Sequence, residues 1–252
     1  MKKFTFIFSL LLAAFTTYGQ KTKTLTQSGP TLSQIKVFDV IADKPYIKHG
    51  SYTTQHKESG DIYIKGYYKN DLKDSLWTET GYNKLPVYSG SYKNGEKIGL
   101  WNYYDNKGNL ESTYNYTTKE LTYQNKKKPD TANYTIIKNG EKVITKLERS
   151  PVIIPGWNFL YRELGSILRY PSTAVENDIN GKVIIGFTVD ETGKVKDHYI
   201  SQKVHPLLDE EALRSVKELT TEWLPGLLNG KPVATMVYLP VVFQTSKKVI
   251  VK

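Results

Sequence analysis

The chain contains no cysteine. That absence removes disulfides, thiolate metal sites and thiol nucleophiles together, so the fold must be held by packing alone. Histidine is almost as scarce, and His49, His56, His198 and His205 show none of the spacings that build a metal site. There is no phosphate-cradling glycine loop and no nucleophile elbow. The acidic cluster Asp209-Glu210-Glu211 lies two residues beyond His205-Pro206, where it reads as charge placed near the positive end of a helix. The 11 prolines are dispersed and form no stiff spacer. No apolar run outside the first twenty residues is long enough to span a bilayer. The expectation is a binding protein, not an enzyme, with no catalytic residues, no cofactor and no metal.

The first twenty residues are distinctive. Lys2 and Lys3 precede an apolar stretch from Phe4 to Phe15, and Thr17 and Gly19 follow just before Gln20. A basic start, a short greasy core and a small residue at the cut describe a cleavable secretory signal, residues 1–19. As a helix, Phe4 to Phe15 would rise only about 18 Å, short of the roughly 30 Å hydrocarbon layer. The alternative is an uncleaved anchor. Without cysteine a lipid anchor is excluded. The net charge of +10 divides into +2 in the signal, +7 in 21–150 and +1 in 151–252. Export removes nucleic acid from the candidate partners, and the lysine excess reads as a solvated surface.

Residues 66–77, GYYKNDLKDSLW, return at 90–101 as GSYKNGEKIGLW. Gly66, Tyr68, Lys69, Asn70, Lys73, Leu76 and Trp77 recur 24 residues later without a gap, which marks an internal duplication. Asn94-Gly95 and Lys107-Gly108-Asn109 carry turn chemistry, and aromatic and β-branched residues crowd the stretches between. The prediction is a run of β-hairpins over 20–124, stacked to share a core. The pattern resembles bacterial MORN-type repeats over about residues 50–116, with Asp71 and Ser75 standing where glycines are expected. That resemblance implies a repeat scaffold and no particular activity.

Asn125 to Asp130, NKKKPD, reads as a surface connection, and 133–147 as a hairpin around Asn139-Gly140. Segment 125–150 is thus taken as a linker with a hairpin, and a second domain is placed at 151–245 with a tail at 246–252. Apolar residues at 157, 160, 164, 167 and 168 predict a helix that Pro171 stops. A turn at Ser172–Asn177, capped by Ser172 or Thr173, follows. Strands are expected at Gly181–Val189 and Val195–Ser201, then a helix from Pro206 burying Leu208, Ala212, Val216 and Leu219. Asn229-Gly230 turns the chain into a last strand, Val233–Phe243. The fold class is α+β: an all-β repeat, then α-β-β-α-β with a three-stranded antiparallel sheet.

Five elements of this half, in order, resemble the C-terminal domain family of TonB-type energy transducers. They are Tyr170-Pro171 with Ala174; Gly181-Lys182-Val183 with Phe187-Thr188-Val189-Asp190 and Gly193; His205 to Leu213; Trp223-Leu224-Pro225-Gly226 with Asn229 to Val233; and Leu239-Pro240-Val241-Val242-Phe243. The resemblance implies a periplasmic domain that contacts outer-membrane transporters by taking an extended partner segment into its sheet. Two alternatives stay open: an envelope scaffold without energy coupling, and an inner-membrane-anchored transducer, which needs the leader to stay attached and lacks the usual proline-rich spacer.

Pro240 points to where a partner binds. Proline lacks an N–H and is confined within sheets largely to edges and bulges, so the last strand is expected at an edge open to strand addition. The candidate partner-binding residues are Thr235, Met236, Val237, Tyr238, Leu239 and Val241, with Val237→Pro the substitution expected to block capture. The alternative is that a helix, a C-terminal extension or a second copy of the chain covers this edge. From the leader, the mature protein is expected to begin near Gln20 in the soluble periplasmic fraction. N-terminal sequencing checks this, and a chain starting at Met1 in inner-membrane vesicles would favour the anchored transducer.

Overall fold

The computed structural model describes residues 20–125 and 131–244. The leader, most of the NKKKPD run and the 246–252 tail lie outside the described residues. No helix among the described residues is long and apolar enough to cross a membrane.

The first half is a sheet of nine antiparallel strands, each paired with the next in the chain. They are β1 (Thr22–Ser28), β2 (Gln34–Ile41), β3 (Lys44–His56), β4 (Ile62–Lys69), β5 (Leu72–Thr80), β6 (Pro86–Lys93), β7 (Glu96–Tyr104), β8 (Leu110–Asn115) and β9 (Glu120–Gln124). The duplicated unit is one hairpin, and its repeated residues have assigned jobs. Trp77 and Trp101 are buried, each lying over the glycine of the preceding strand. A Cβ on Gly66 would sit 2.2 Å from Trp77 Cδ2, and one on Gly90 2.1 Å from Trp101 Cδ2. Tyr68 and Tyr92 meet these indoles edge-on, at 5.2 and 4.9 Å between centroids, a favoured aromatic geometry. Lys73 and Lys97 place their ammonium groups 4.5 and 5.1 Å from the indole centroids. Both indole nitrogens donate to backbone carbonyls, Trp77 to Asp74 and Trp101 to Ser91.

The turns repeat as well. Asn70-Asp71 and Asn94-Gly95 share positive φ, as do Ser75 at 58° and Gly99 at 60°. The first unit therefore keeps the backbone of the second while giving up its glycines, at a cost of roughly 1–2 kcal/mol for each left-handed residue. Leu76 and Leu100 are exposed, and nothing in the structure explains why that leucine is repeated.

The second half contains β10 (Asn133–Lys138), β11 (Glu141–Lys146), β12 (Val152–Ile153), α1 (Trp157–Ile167), α2 (Ser172–Glu176), β13 (Gly181–Val189), β14 (Val195–Gln202), α3 (Pro206–Lys217), β15 (Trp223–Leu224), β16 (Gly226–Leu228) and β17 (Lys231–Phe243). The α-β-β-α-β order is present, and β17, β13 and β14 are the three antiparallel strands expected. The sheet is nevertheless larger than three strands: its order is β11-β10-β17-β13-β14, with β16 also paired to β17. The β10–β11 hairpin turns at Asn139-Gly140, both at positive φ, and joins through Ile136↔Thr235 and Ile137↔Ala234.

Helices α1 and α3 cover one sheet face, where Leu160, Leu208, Ile185 and Leu239 are fully buried. His205 caps α3, its Nδ1 accepting from Leu207 N at 3.3 Å. Asp209 is buried and accepts from Val204 N at 2.9 Å. Helix α2 has Pro171 at its cap position and no side-chain cap, in place of the expected Ser172 or Thr173.

The halves are docked. Tyr103 and Tyr116 of the repeat sheet share a cluster with Ile154, Phe159 and Leu224. Lys97 Nζ lies 3.4 Å from a Glu222 carboxylate oxygen, to which Tyr116 also donates. Burial pushes the Lys97 ammonium below its ordinary value, and Glu222 counteracts this. Helix α1 has no capping side chain of its own; Glu111 of β8 serves instead, accepting from Trp157 N and from Asn158 Nδ2, each at 3.0 Å.

Gly90→Ala is expected to destabilise the chain by about 3 kcal/mol, because the new methyl group has no room beside Trp101. Denaturant unfolding at neutral pH checks this, against Gly165→Ala in α1, where a Cβ meets nothing within 4 Å and the backbone is helical.

Candidate functional site

The last strand has a direction that can be read from three observations. It pairs with β13 from Thr235↔Val189 to Phe243↔Gly181 with no register shift. Pro240, opposite Ile184, has no N–H to give that ladder. On β13, Lys182 turns its carbonyl away from β17, since it accepts from Gln202 Nε2 of β14. Backbone groups alternate between the two sides of a strand, so the odd-numbered residues of β17 bond β13. Those of Met236, Tyr238, Pro240 and Val242 face outward.

The outer side is only partly open. Strand β10 takes Ala234 and Thr235, which corrects the expectation that Thr235 lies on a free edge. Beyond Thr235 no described strand follows, and Met236, Val237 and Tyr238 line a cavity of about 480 Å³ where β10 and β17 part. The same cavity is lined by Trp157 and Trp223 from the C-terminal half and by Glu111 and Gln124 from the repeat sheet.

The side chains divide as alternation demands. Leu239 and Val241 are buried beneath the helices with Val237 packed beside them, Thr235 is buried against Gly226 of β16, and Tyr238 and Val242 are exposed. Met236 departs from its face by being buried. Of the six predicted residues the structure brings Met236, Val237 and Tyr238 to the cavity, keeps Leu239 and Val241 in the core, and engages Thr235 on both sides.

Tyr199 of β14 was missed in the sequence. Its hydroxyl lies 3.4 Å from that of Tyr238, across Gly186, where a Cβ would fall 2.4 Å from the Tyr199 ring. Burial and the Tyr238 hydroxyl push the Tyr199 phenol up to about 12. The glycine between two aromatic strands was the available signal. Among the described residues no group of three or more His, Asp or Glu is placed to hold a metal ion.

Residues 167–245 match the family model of the Gram-negative bacterial TonB protein C-terminal. The match covers a little under a third of the chain, from the end of α1 through β17, and so includes the whole open edge. The repeat sheet and the β10–β11 hairpin lie outside it. No curated protein and no solved structure shows significant similarity to the chain.

The alternation is checked by amide hydrogen exchange. Met236, Tyr238 and Val242 N–H are expected to exchange at least tenfold faster than Val237, Leu239 and Val241 N–H, which lie in the β13 ladder. Equal protection along the strand would mean that the outer side is covered.

Proposed function

We propose that this is a periplasmic, non-enzymatic TonB-like protein of TonB-dependent transport, which captures an extended segment of an outer-membrane transporter. The observation that carries the reading is the row of outward backbone groups at Met236, Tyr238, Pro240 and Val242, inside the segment that matches the TonB C-terminal family. An added strand would use them for main-chain hydrogen bonds, and its side chains would read the surface beside the edge. The cavity at Met236–Tyr238 gives that surface a shaped end. The duplicated hairpins, read as MORN-type repeats, act as a scaffold that carries the domain.

A second reading, an envelope scaffold without energy coupling, is favoured by the docking of the halves. Lys97, Tyr116 and Glu111 tie the binding half to a nine-stranded sheet that the family match does not include.

The test is a titration of a labelled transporter N-terminal peptide, by fluorescence anisotropy. The strand's alternation makes Val237→Pro unsuitable, since position 237 bonds β13 and proline there would damage the sheet itself. Tyr238→Pro removes only an outward N–H. It is expected to weaken binding at least tenfold, whereas Tyr238→Ala stays within about threefold, the difference corresponding to one lost hydrogen bond. Circular dichroism confirms that both variants fold. Equal binding by a folded Tyr238→Pro variant would remove strand addition at this edge, and self-association blocked by the same substitution would assign the edge to a second copy.

A further inference from the structure

Three successive copies of one lysine–tyrosine motif stand on the repeat sheet, and the last of them holds a carboxylate. The Lys48 ammonium on β3 lies 5.3 Å from the Tyr68 ring centroid, that of Lys73 on β5 5.0 Å from Tyr92, and that of Lys97 on β7 4.7 Å from Tyr116. The tyrosines recur at the 24-residue interval of the duplication. Phe38, Trp77 and Trp101 flank the same lysines at 5.8, 4.5 and 5.1 Å. Ring contacts run unbroken from Phe38 to Tyr116 by way of Tyr52, Tyr68, Trp77, Tyr92 and Trp101, so the three lysines share one face.

The last copy shows what the motif takes. Lys97 Nζ and the Tyr116 hydroxyl both reach Oε2 of Glu222, the ammonium at 3.4 Å. A half-buried ammonium and a phenol thus converge on one carboxylate, and a stretch of peptide directly before β15 presents it.

The two earlier copies have the same donors and no such acceptor. Among the described residues, Lys73 Nζ and the Tyr92 hydroxyl make no hydrogen bond or ion pair, and neither do Lys48 Nζ and the Tyr68 hydroxyl. These donors are open to the surface, since among the described residues the unpartnered side-chain polar atoms sealed from solvent are Gln34 Oε1 and Arg149 Nε. Burial pushes the Lys73 ammonium below its ordinary value, Lys97 adds to this and Glu79 opposes it. Glu79 is itself held by Arg162 at 2.7 Å. Beside Lys48, the Asp71 carboxylate accepts from the Lys48 backbone N–H at 2.8 Å. Burial pushes the Tyr92 phenol up to about 12, so at neutral pH it keeps its proton to donate.

We infer that the Lys48–Tyr68 and Lys73–Tyr92 pairs form a docking site for an acidic peptide segment of a partner protein, each pair taking one carboxylate as Lys97 and Tyr116 take Glu222. Lysines two strands apart are separated by roughly 10 Å, a distance that about three residues of extended chain span. The +7 charge of residues 21–150 draws an anionic segment to this sheet. The occupied copy selects a peptide carboxylate among anions, because that is the group it holds. None of the four residues lines the cavity beside β17, so this contact is separate from strand capture.

The experiment is fluorescence anisotropy on the full mature chain, with a labelled peptide carrying glutamate at every third position and glycine and serine between. Saturable binding is expected, and the same peptide with glutamine in place of glutamate should bind at least tenfold more weakly. Lys73→Met keeps the aliphatic stem against the rings and should weaken binding at least tenfold, whereas Tyr92→Phe, which removes only a hydroxyl, should weaken it about fivefold. Lys93→Met, at the exposed lysine next to Tyr92 in sequence, lowers the net charge equally and should leave binding unchanged. Circular dichroism confirms that the variants fold. Absence of saturable binding overturns the proposal, as does undiminished binding by folded Tyr92→Phe and Lys73→Met. Equal loss in Lys93→Met would reduce the contact to net charge and overturn it. Lys73-dependent binding of phosphatidylglycerol vesicles without binding of the peptide would assign the row to lipid phosphate and overturn it equally.

Discussion

Residues 222–224 join the two halves of this protein, and most of the tertiary arrangement follows from them. Glu222 faces the repeat sheet, where it receives Lys97 and the Tyr116 hydroxyl. Trp223 turns the other way, into the core beneath α1 and α3, in contact with Phe187. Leu224 returns to the aromatic cluster around Tyr103. Three consecutive residues thus serve two cores. A half-buried lysine loses hydration, and its placement is tolerable only because a carboxylate from the other half meets it. Moving the halves apart would leave Lys97, Tyr116 and the uncapped start of α1 each short of a partner.

The repeat sheet solves a different problem. A meander of hairpins has little long-range structure to hold it, and its stability must come from one strand packing on the next. Here the unit of packing is an indole laid over a glycine, bracketed by a tyrosine edge and a lysine ammonium. Lys97 belongs to that unit and also reaches Glu222, so the repeat chemistry becomes the docking surface at its last copy.

The open edge of β17 is a product of divergence. The β10–β11 hairpin pairs with two residues of β17 and then leaves, so the edge is closed at Thr235 and open from Met236. This limits the open edge to the stretch after Thr235, and a short edge is one way in which a sheet avoids unlimited growth. The repeat sheet supplies Glu111 and Gln124 to the cavity at that point, so both halves line the space beside the edge.

Much of this was legible in the sequence, because local chemistry dictated it. The 24-residue repeat, the Asn-Gly turns, the His205-Pro206 helix start and the alternation along 235–242 each follow from rules that act over a few residues, and each has its expected place. Proline at 240 was enough to state that one side of the last strand carries no continuous ladder. What lies on that side was decided only by tertiary structure. Ile136 meets Thr235 across about a hundred residues of chain, and no periodicity in either segment records the pairing. The same holds for Glu111 on α1, Glu222 on Lys97, and Gln34 against Tyr82: each is a polar side chain unremarkable in its own stretch of sequence. Period and turn chemistry are properties of neighbours in the chain, so sequence alone determines them. Which faces meet depends on the burial of surfaces that are complete only once each half has folded, and that belongs to the tertiary structure.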